Sequence, residues 1–284
     1  MHLKYKLVAP LVVVLSAVMI YPLAFSAWIS VHDYRLTRLN DVKFRGADNF
    51  VFVITDPQFI TAMSNTLLFV FGAVTMELVL GLGLAILVKK LFRFENFIRS
   101  VLLAPMFITP IAVGLMFRFL LNSQLGVIPY YLAKTGVEVD WFGPNLALFS
   151  IMLIDTWQWT PFMFLMFLAG LESLPKSPFE AARVDGAGPW LTFWSLTLPM
   201  LRPVIVVALI IRALDAFKVF EYVYAITRGG PGDVTETIMF YIYKTGFRFF
   251  RMGQAAAAAF ILIAVILALV IVLFWATKSD RRVD

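Results

Sequence analysis

Six runs of apolar residues, about 7–31, 62–88, 101–121, 146–171, 204–224 and 254–277, alternate with more polar segments along the 284-residue chain. Each is long enough for a helix to cross a hydrocarbon core, which takes about 20 residues. The pattern predicts an all-α membrane protein: six transmembrane helices in one domain, residues 1–284. The first run follows Lys4 and Lys6, as the apolar core of a signal peptide would. It is too long for that, and Ser26-Ala27-Trp28 offers no small-residue cleavage site. It reads as a retained helix.

The connecting segments divide between two sides. Segments 32–61, 122–145 and 225–253 are punctuated by Gly46, Pro57, Gly126, Gly136, Gly143, Pro144 and the cluster Gly229-Gly230-Pro231-Gly232, as turns are. Across the membrane from them lie Lys4, Lys6, Lys89, Lys90, Arg93, Arg99, Lys278, Arg281 and Arg282. Positive charge concentrates on the cytoplasmic side, so both termini are expected there, in a multi-pass membrane protein. Arg35, Arg38, Lys43 and Arg45 oppose the bias without reversing it.

Composition narrows the function classes. The chain is 61% hydrophobic and 15% charged, where an ordinary soluble domain carries roughly 25% charged residues. Its net charge of +6 sits at the ends of apolar runs, so topology explains it and nucleic acid is not an expected partner. Cysteine is absent and the only histidines are His2 and His32, which leaves no metal site and no histidine-based catalytic group inside the membrane. No Gly-x4-Gly-Lys-Ser/Thr loop is present to cradle nucleotide phosphates, and no Gly-x-Ser-x-Gly elbow. An enzyme is not expected.

One polar segment between the fourth and fifth runs, 172–203, is more specific. Pro175 and Pro178 end one helix and prepare the next, and Glu180 falls in a first turn, where negative charge suits the helix dipole. Ala181, Ala182 and Val184 give a small apolar face. Gly186 and Gly188-Pro189 turn the chain, and Trp190, Phe193 and Trp194 form an aromatic ridge leading to Leu198-Pro199. The spacing Glu180-Ala181-Ala182, three residues, Gly186, nine residues, Leu196, one residue, Leu198-Pro199 resembles the EAA loop of membrane subunits of binding-protein-dependent ABC importers, with leucine in place of isoleucine at 196. Phe44-x-Gly46-x-x-Asn49-Phe50, Asn65-Thr66, Trp157-Gln158-Trp159-Thr160-Pro161-Phe162 and Thr227-x-Gly229-Gly230-Pro231 are similar to the carbohydrate branch, the maltose and glycerol-phosphate permeases. The resemblance runs from about residue 44 to the end.

The resemblance implies a type I importer transmembrane domain that forms half of a translocation channel for a sugar or sugar-like solute. Its implied partners are a second homologous permease, two copies of an ABC ATPase subunit and an extracytoplasmic solute-binding protein, within membrane lipid. Mg-ATP would be bound by the partner ATPase, with no cofactor in this chain. Glu180, Ala181, Ala182, Asp185, Gly186, Leu198 and Pro199 would carry ATPase coupling, and alternating access would follow from ATP binding and hydrolysis. Arg228, Gly229, Gly230 and Pro231 would meet the binding protein, although a plain interhelical turn has the same composition.

Polar residues inside two runs are candidates for the solute. Asp155, Gln158, Trp159 and Phe162 fall at i, i+3, i+4, i+7, on one helix face. Arg212, Asp215, Lys218 and Glu221 recur every three residues on the fifth run, with Ala216 and Val219 beside them. An ionisable group facing lipid costs at least ~2.5 kcal/mol, so these should face a polar interior and partner one another. Carboxylates, an amide and aromatic faces suit a carbohydrate. A salt-bridge ladder, Arg212–Asp215 and Lys218–Glu221, is the other reading of the same spacing, with Glu77 placed as a structural group. An ion-coupled secondary transporter would also place Glu77, Asp155, Arg212 and Asp215 near the midplane, but no internal repeat accompanies them.

Overall fold

A computed structural model describes residues 2–90 and 95–278. Arg93, Arg281 and Arg282 lie outside the described residues, as do the side chains of Lys4, Lys6, Lys90, Arg99 and Lys278. The helices are α1 (His2–Ser30), α2 (Asp48–Thr55), α3 (Pro57–Lys90), α4 (Glu95–Leu103), α5 (Pro110–Leu120), α6 (Val127–Ala133), α7 (Ala147–Ser173), α8 (Ser177–Val184), α9 (Pro189–Thr192), α10 (Leu198–Ala216), α11 (Ile238–Tyr243) and α12 (Met252–Lys278). Among the described residues five stretches are long and apolar enough to span a membrane: Leu7–Ser30, Pro57–Lys89, Ala147–Ser173, Pro189–Ala216 and Met252–Val272. A sixth arises if the bent pair Ser100–Phe107 and Pro110–Leu120 counts as one.

Two of the expected spans are built differently. The run 101–121 is not one helix: it bends by 100° between Phe107 and Pro110. Ile108 and Thr109 are extended there, with ψ of 138° and 137°, because proline disfavours the helical conformation in the residue before it and cannot donate its own backbone N–H. The run 204–224 starts earlier and stops sooner. The helical path begins at Pro189, passes through a single π-helical turn at Phe193–Thr197, and ends at Ala216.

The chain forms two compact units, Met1–Thr61 with Ile238–Val265 and Ala62–Thr237 with Ile266–Asp284. In the first, a short antiparallel ribbon, β1 (His32–Asp33) against β2 (Lys43–Phe44), was absent from the all-helical expectation. Asn49 explains the motif around it: its Nδ2 donates to the carbonyls of Ser30 at 2.8 Å and His32 at 2.9 Å. Gly46 supplies the left-handed turn ahead of it, with φ +55°. Tyr241 Oη donates to Asp56 Oδ2 at 2.7 Å, and its ring packs edge-on against Phe59.

In the second unit α7 is the central element, with 67% of its most apolar window buried. Met163, Phe164 and Phe167 are fully buried along it, as are Phe69 on α3 and Leu201 on α10. Small residues permit the contacts, as expected for helices in lipid. A Cβ at Gly81 would lie 3.0 Å from the Phe164 backbone nitrogen, and one at Gly170 within 3.0 Å of Val204. Gly83, on the same helix, has open space around it.

Candidate functional site

The coupling segment is the part of the chain where local sequence dictates local shape most directly. Leu174 turns extended ahead of Pro175 and ends α7. α8 follows, with proline and Glu180 in its first turn. Its end is closed by two bonds, Ala187 N–H to the Ala182 carbonyl at 2.9 Å and Gly186 N–H to the Arg183 carbonyl at 3.2 Å. That closure needs a left-handed residue, and Gly186 has φ +77°. A Cβ there would meet nothing within 4 Å, so the requirement lies in the backbone and not in space.

This segment presents bare apolar side chains beside exposed charged ones. Glu180, Ala181 and Asp185 are exposed and Ala182 is half-buried. Val184 is 87% exposed and Trp190 74%. Leu191 and Trp194 are exposed too, and the two tryptophan rings meet edge-to-face at 5.7 Å. Leu198 and Pro199 begin α10, with the Leu198 N–H closing the π turn onto the Phe193 carbonyl. The sequence-predicted coupling residues therefore sit within one helix–turn–helix elbow, α8 to the start of α10.

Three carboxylates inside the spans, Glu77, Asp155 and Asp215, converge on Arg212. Its guanidinium holds Glu77 of α3 in a two-bonded fork, Nε to Oε2 at 2.7 Å and Nη2 to Oε1 at 2.9 Å. Nη2 also donates to Asp155 Oδ2 of α7, and Nη1 to Asp215 Oδ2 at 3.3 Å. Arg212, Glu77 and Asp155 are almost wholly buried, whereas the Asp215 side chain is 42% exposed. Lys218 Nζ reaches the other Asp215 oxygen at 3.4 Å. Arginine's planar fork suits such multiple pairing; a lysine has one point charge. The indole of Trp159 lies under the guanidinium, 5.4 Å from the ring centre. The ladder inferred from spacing thus holds for Arg212–Asp215. Lys218 pairs with Asp215, however, and Glu77 is the carboxylate that Arg212 grips.

Gln158 shares the α7 face with Asp155 and Trp159 but serves a different contact. It is fully buried. Its Nε2 donates to the Ile108 carbonyl at 2.6 Å, and its Oε1 accepts from Tyr222 Oη at 2.6 Å. Ile108 is at the break between α4 and α5, so the amide meets a carbonyl that the helix there has given up. Phe162 is half-buried on the same face, and Ala216 and Val219 are buried. The Val219 carbonyl accepts from Thr237 Oγ1 at 3.0 Å. Tyr222 was missed in the sequence; its hydroxyl, next to the charged Glu221, was the available signal.

The glycine-rich loop is bonded to itself. Thr235 N–H donates to the Gly229 carbonyl at 3.2 Å and Thr235 Oγ1 to the Gly230 carbonyl at 2.8 Å. Arg228 is left-handed, φ +54°, with its side chain exposed, as is Pro231. Asn65 Nδ2 fastens α3 to the following residues through the carbonyls of Asp233 at 2.9 Å and Glu236 at 3.0 Å.

Outside the membrane spans, Asp33 titrates abnormally. Its bond from Arg35 Nε at 2.8 Å, with further help from Arg45, holds its carboxyl below the usual carboxylate range.

Comparison with known proteins agrees with this architecture. Residues 56–284 match the family described as the binding-protein-dependent transport system inner membrane component. The sulfoquinovosyl glycerol transport system permease protein SmoG of Agrobacterium fabrum is 37% identical, over 92% of this chain and 86% of its own. The trehalose/maltose transport system permease protein MalF of Thermococcus litoralis is 34% identical, over 89% of this chain and 84% of its own. The fold matches a chain of a bacterial alginate ABC transporter, crystallised in complex with an alginate pentasaccharide-bound periplasmic protein, with a TM-score of 0.81 at 24% identity, covering 95% of this chain and 92% of that one. This chain belongs to the family of binding-protein-dependent transport system inner membrane components and is a multi-pass inner-membrane permease subunit.

Proposed function

We propose that this subunit forms half of the channel of an ATP-driven importer for a sugar or sugar-like solute. A second permease completes the pore, two ATPase copies hydrolyse Mg-ATP, and a solute-binding protein delivers cargo outside. The exposed α8 elbow carries the reading. A short helix with an acidic first turn, a glycine-closed end and a bare Val184, followed by bare Trp190 and Leu191 on α9, is built to enter a cleft on another protein. With that elbow on the cytoplasmic side, both termini are cytoplasmic and residues 225–232 face outward toward the binding protein. Support for a carbohydrate comes from SmoG, MalF and the alginate transporter, all of which carry a saccharide in their names.

In this mechanism ATP binding draws the two elbows together and rocks the half-channels outward-open; hydrolysis resets them. Arg212 ties α3, α7 and α10 into one body, so that the movement of α8 reaches the span as a unit. Asp215, Trp159 and Phe162 meet the solute, and Asp155, Gln158 and Arg212 position them, with Ala216 and Val219 packed behind. The test is uptake in proteoliposomes holding the whole assembly. Uptake should need ATP, the ATPase and the binding protein; accumulation driven by a proton or sodium gradient alone would sink the reading.

A further inference from the structure

Behind the α8 elbow, in the second unit, lies a cleft of about 550 Å³. Ile86, Leu171, Phe179 and Phe193 contribute apolar walls, and among the described residues its charged lining is Lys89 and Arg183. We propose that this cleft is a binding site for one acidic phospholipid.

The location fits first. Lys89 ends the span Pro57–Lys89 and Leu171 lies at the end of Ala147–Ser173, so the cleft sits at headgroup level. Apolar walls at that depth meet acyl chains without loss, while an anionic headgroup meets two cations and, among the described residues, no lining carboxylate. Lys89 is held for the purpose: its Nζ donates to the Leu171 carbonyl at 2.8 Å, near the negative end of α7. An ammonium has three donors, so two remain for a phosphate.

α8 lies along the cleft. Phe179 and Arg183, four residues apart on it, line the cleft, as does Ala187 beyond its end; Phe179 is half-buried, whereas Arg183, Glu180 and Val184 are exposed. A lipid in the cleft braces the back of the helix whose front is proposed to dock on the ATPase. This bracing rests on the docking reading; the lipid site itself does not.

The whole transporter, purified from membranes containing phosphatidylglycerol and phosphatidylethanolamine, is examined by native mass spectrometry. Wild type should retain phosphatidylglycerol in preference. Each single substitution, Lys89→Gln or Arg183→Gln, should reduce that preference roughly fivefold, and the pair together roughly 30-fold. Lys89→Arg with Arg183→Lys, which keeps both charges, should retain it, so a loss caused by misfolding is recognised. Inorganic phosphate alone should not displace the lipid. Equal retention by wild type and the double glutamine variant overturns the proposal. So does a photo-crosslinker at Thr192, also in the cleft lining, that captures the ATPase in place of lipid. Phosphatidylglycerol retention as expected, with a photo-crosslinker at the exposed Val184 failing to capture the ATPase, would count against the coupling reading alone.

Discussion

Arg212 and Glu77 stand 135 positions apart in the chain and meet through two parallel bonds of 2.7 and 2.9 Å, fully removed from solvent. The fork joins α10 to α3, and the same guanidinium reaches Asp155 on α7. Removing one partner of a buried pair leaves the other uncompensated, at a cost of about 3–5 kcal/mol. Arg212→Lys keeps the charge but loses the fork. Thermal unfolding of the purified complex should show Arg212→Ala and Glu77→Ala strongly destabilised and Arg212→Lys intermediate. Wild-type melting for Arg212→Lys would mean that the geometry of the fork does not matter.

Gly186 separates backbone demand from packing. Its φ of +77° closes α8, and no neighbour would obstruct a side chain. A left-handed residue other than glycine costs roughly 1–2 kcal/mol, with asparagine among the better tolerated. Gly186→Val should therefore uncouple ATP hydrolysis from uptake, with Gly186→Asn milder and membrane insertion normal in both. The check is the ratio of transported solute to ATP hydrolysed. Equal ratios for valine and asparagine would place the requirement elsewhere.

The elbow was legible because its signals are local: prolines before helices, a glycine at a helix end, an acid in a first turn. The bend at Ile108–Thr109 was also written in Pro105 and Pro110, but run length outweighed them. Hydropathy averages over about 20 residues and does not register a two-residue extended break. The cluster was half legible. Spacing put Asp155 and Arg212 on interior faces, yet the Glu77 fork and the Gln158 bridge to Ile108 depend on which helices adjoin. The ribbon at His32–Asp33 and Lys43–Phe44 was too short for alternation to announce it.

Asp33 predicts an acid sensitivity confined to the first unit. Its carboxyl is held below the usual value by Arg35, so the folded state binds its proton less readily than the unfolded chain. The stabilisation is fully present above the ordinary value of 3.8 and is lost as pH falls through the lower folded one. Hydrogen exchange at residues 32–45, compared between pH 6 and pH 3, should accelerate beyond its intrinsic dependence in wild type. Asp33→Asn should be less protected at pH 6 and lose little more at pH 3. An unchanged pH response in that variant would assign the effect to another group.

Asp215 offers the sharpest separation of solute contact from structure. It is the one carboxylate of the cluster with substantial exposure, 42%, whereas Asp155 is buried against Arg212 and Gln158 is bonded at both ends. Gln158→Leu strands the Ile108 carbonyl and the Tyr222 hydroxyl, each at about 1–3 kcal/mol, so it should lower the melting temperature and the assembly yield. Asp215→Asn leaves the Glu77 fork in place and keeps a polar group where Lys218 and Arg212 converge. It should assemble normally and retain ATPase activity stimulated by the binding protein, while solute uptake falls. Trp159→Leu, which removes an aromatic face, should follow Asp215→Asn and not Gln158→Leu. If Asp215→Asn instead lost assembly in step with Gln158→Leu, all the polar residues of this face would be structural, and the solute would pass along the partner permease.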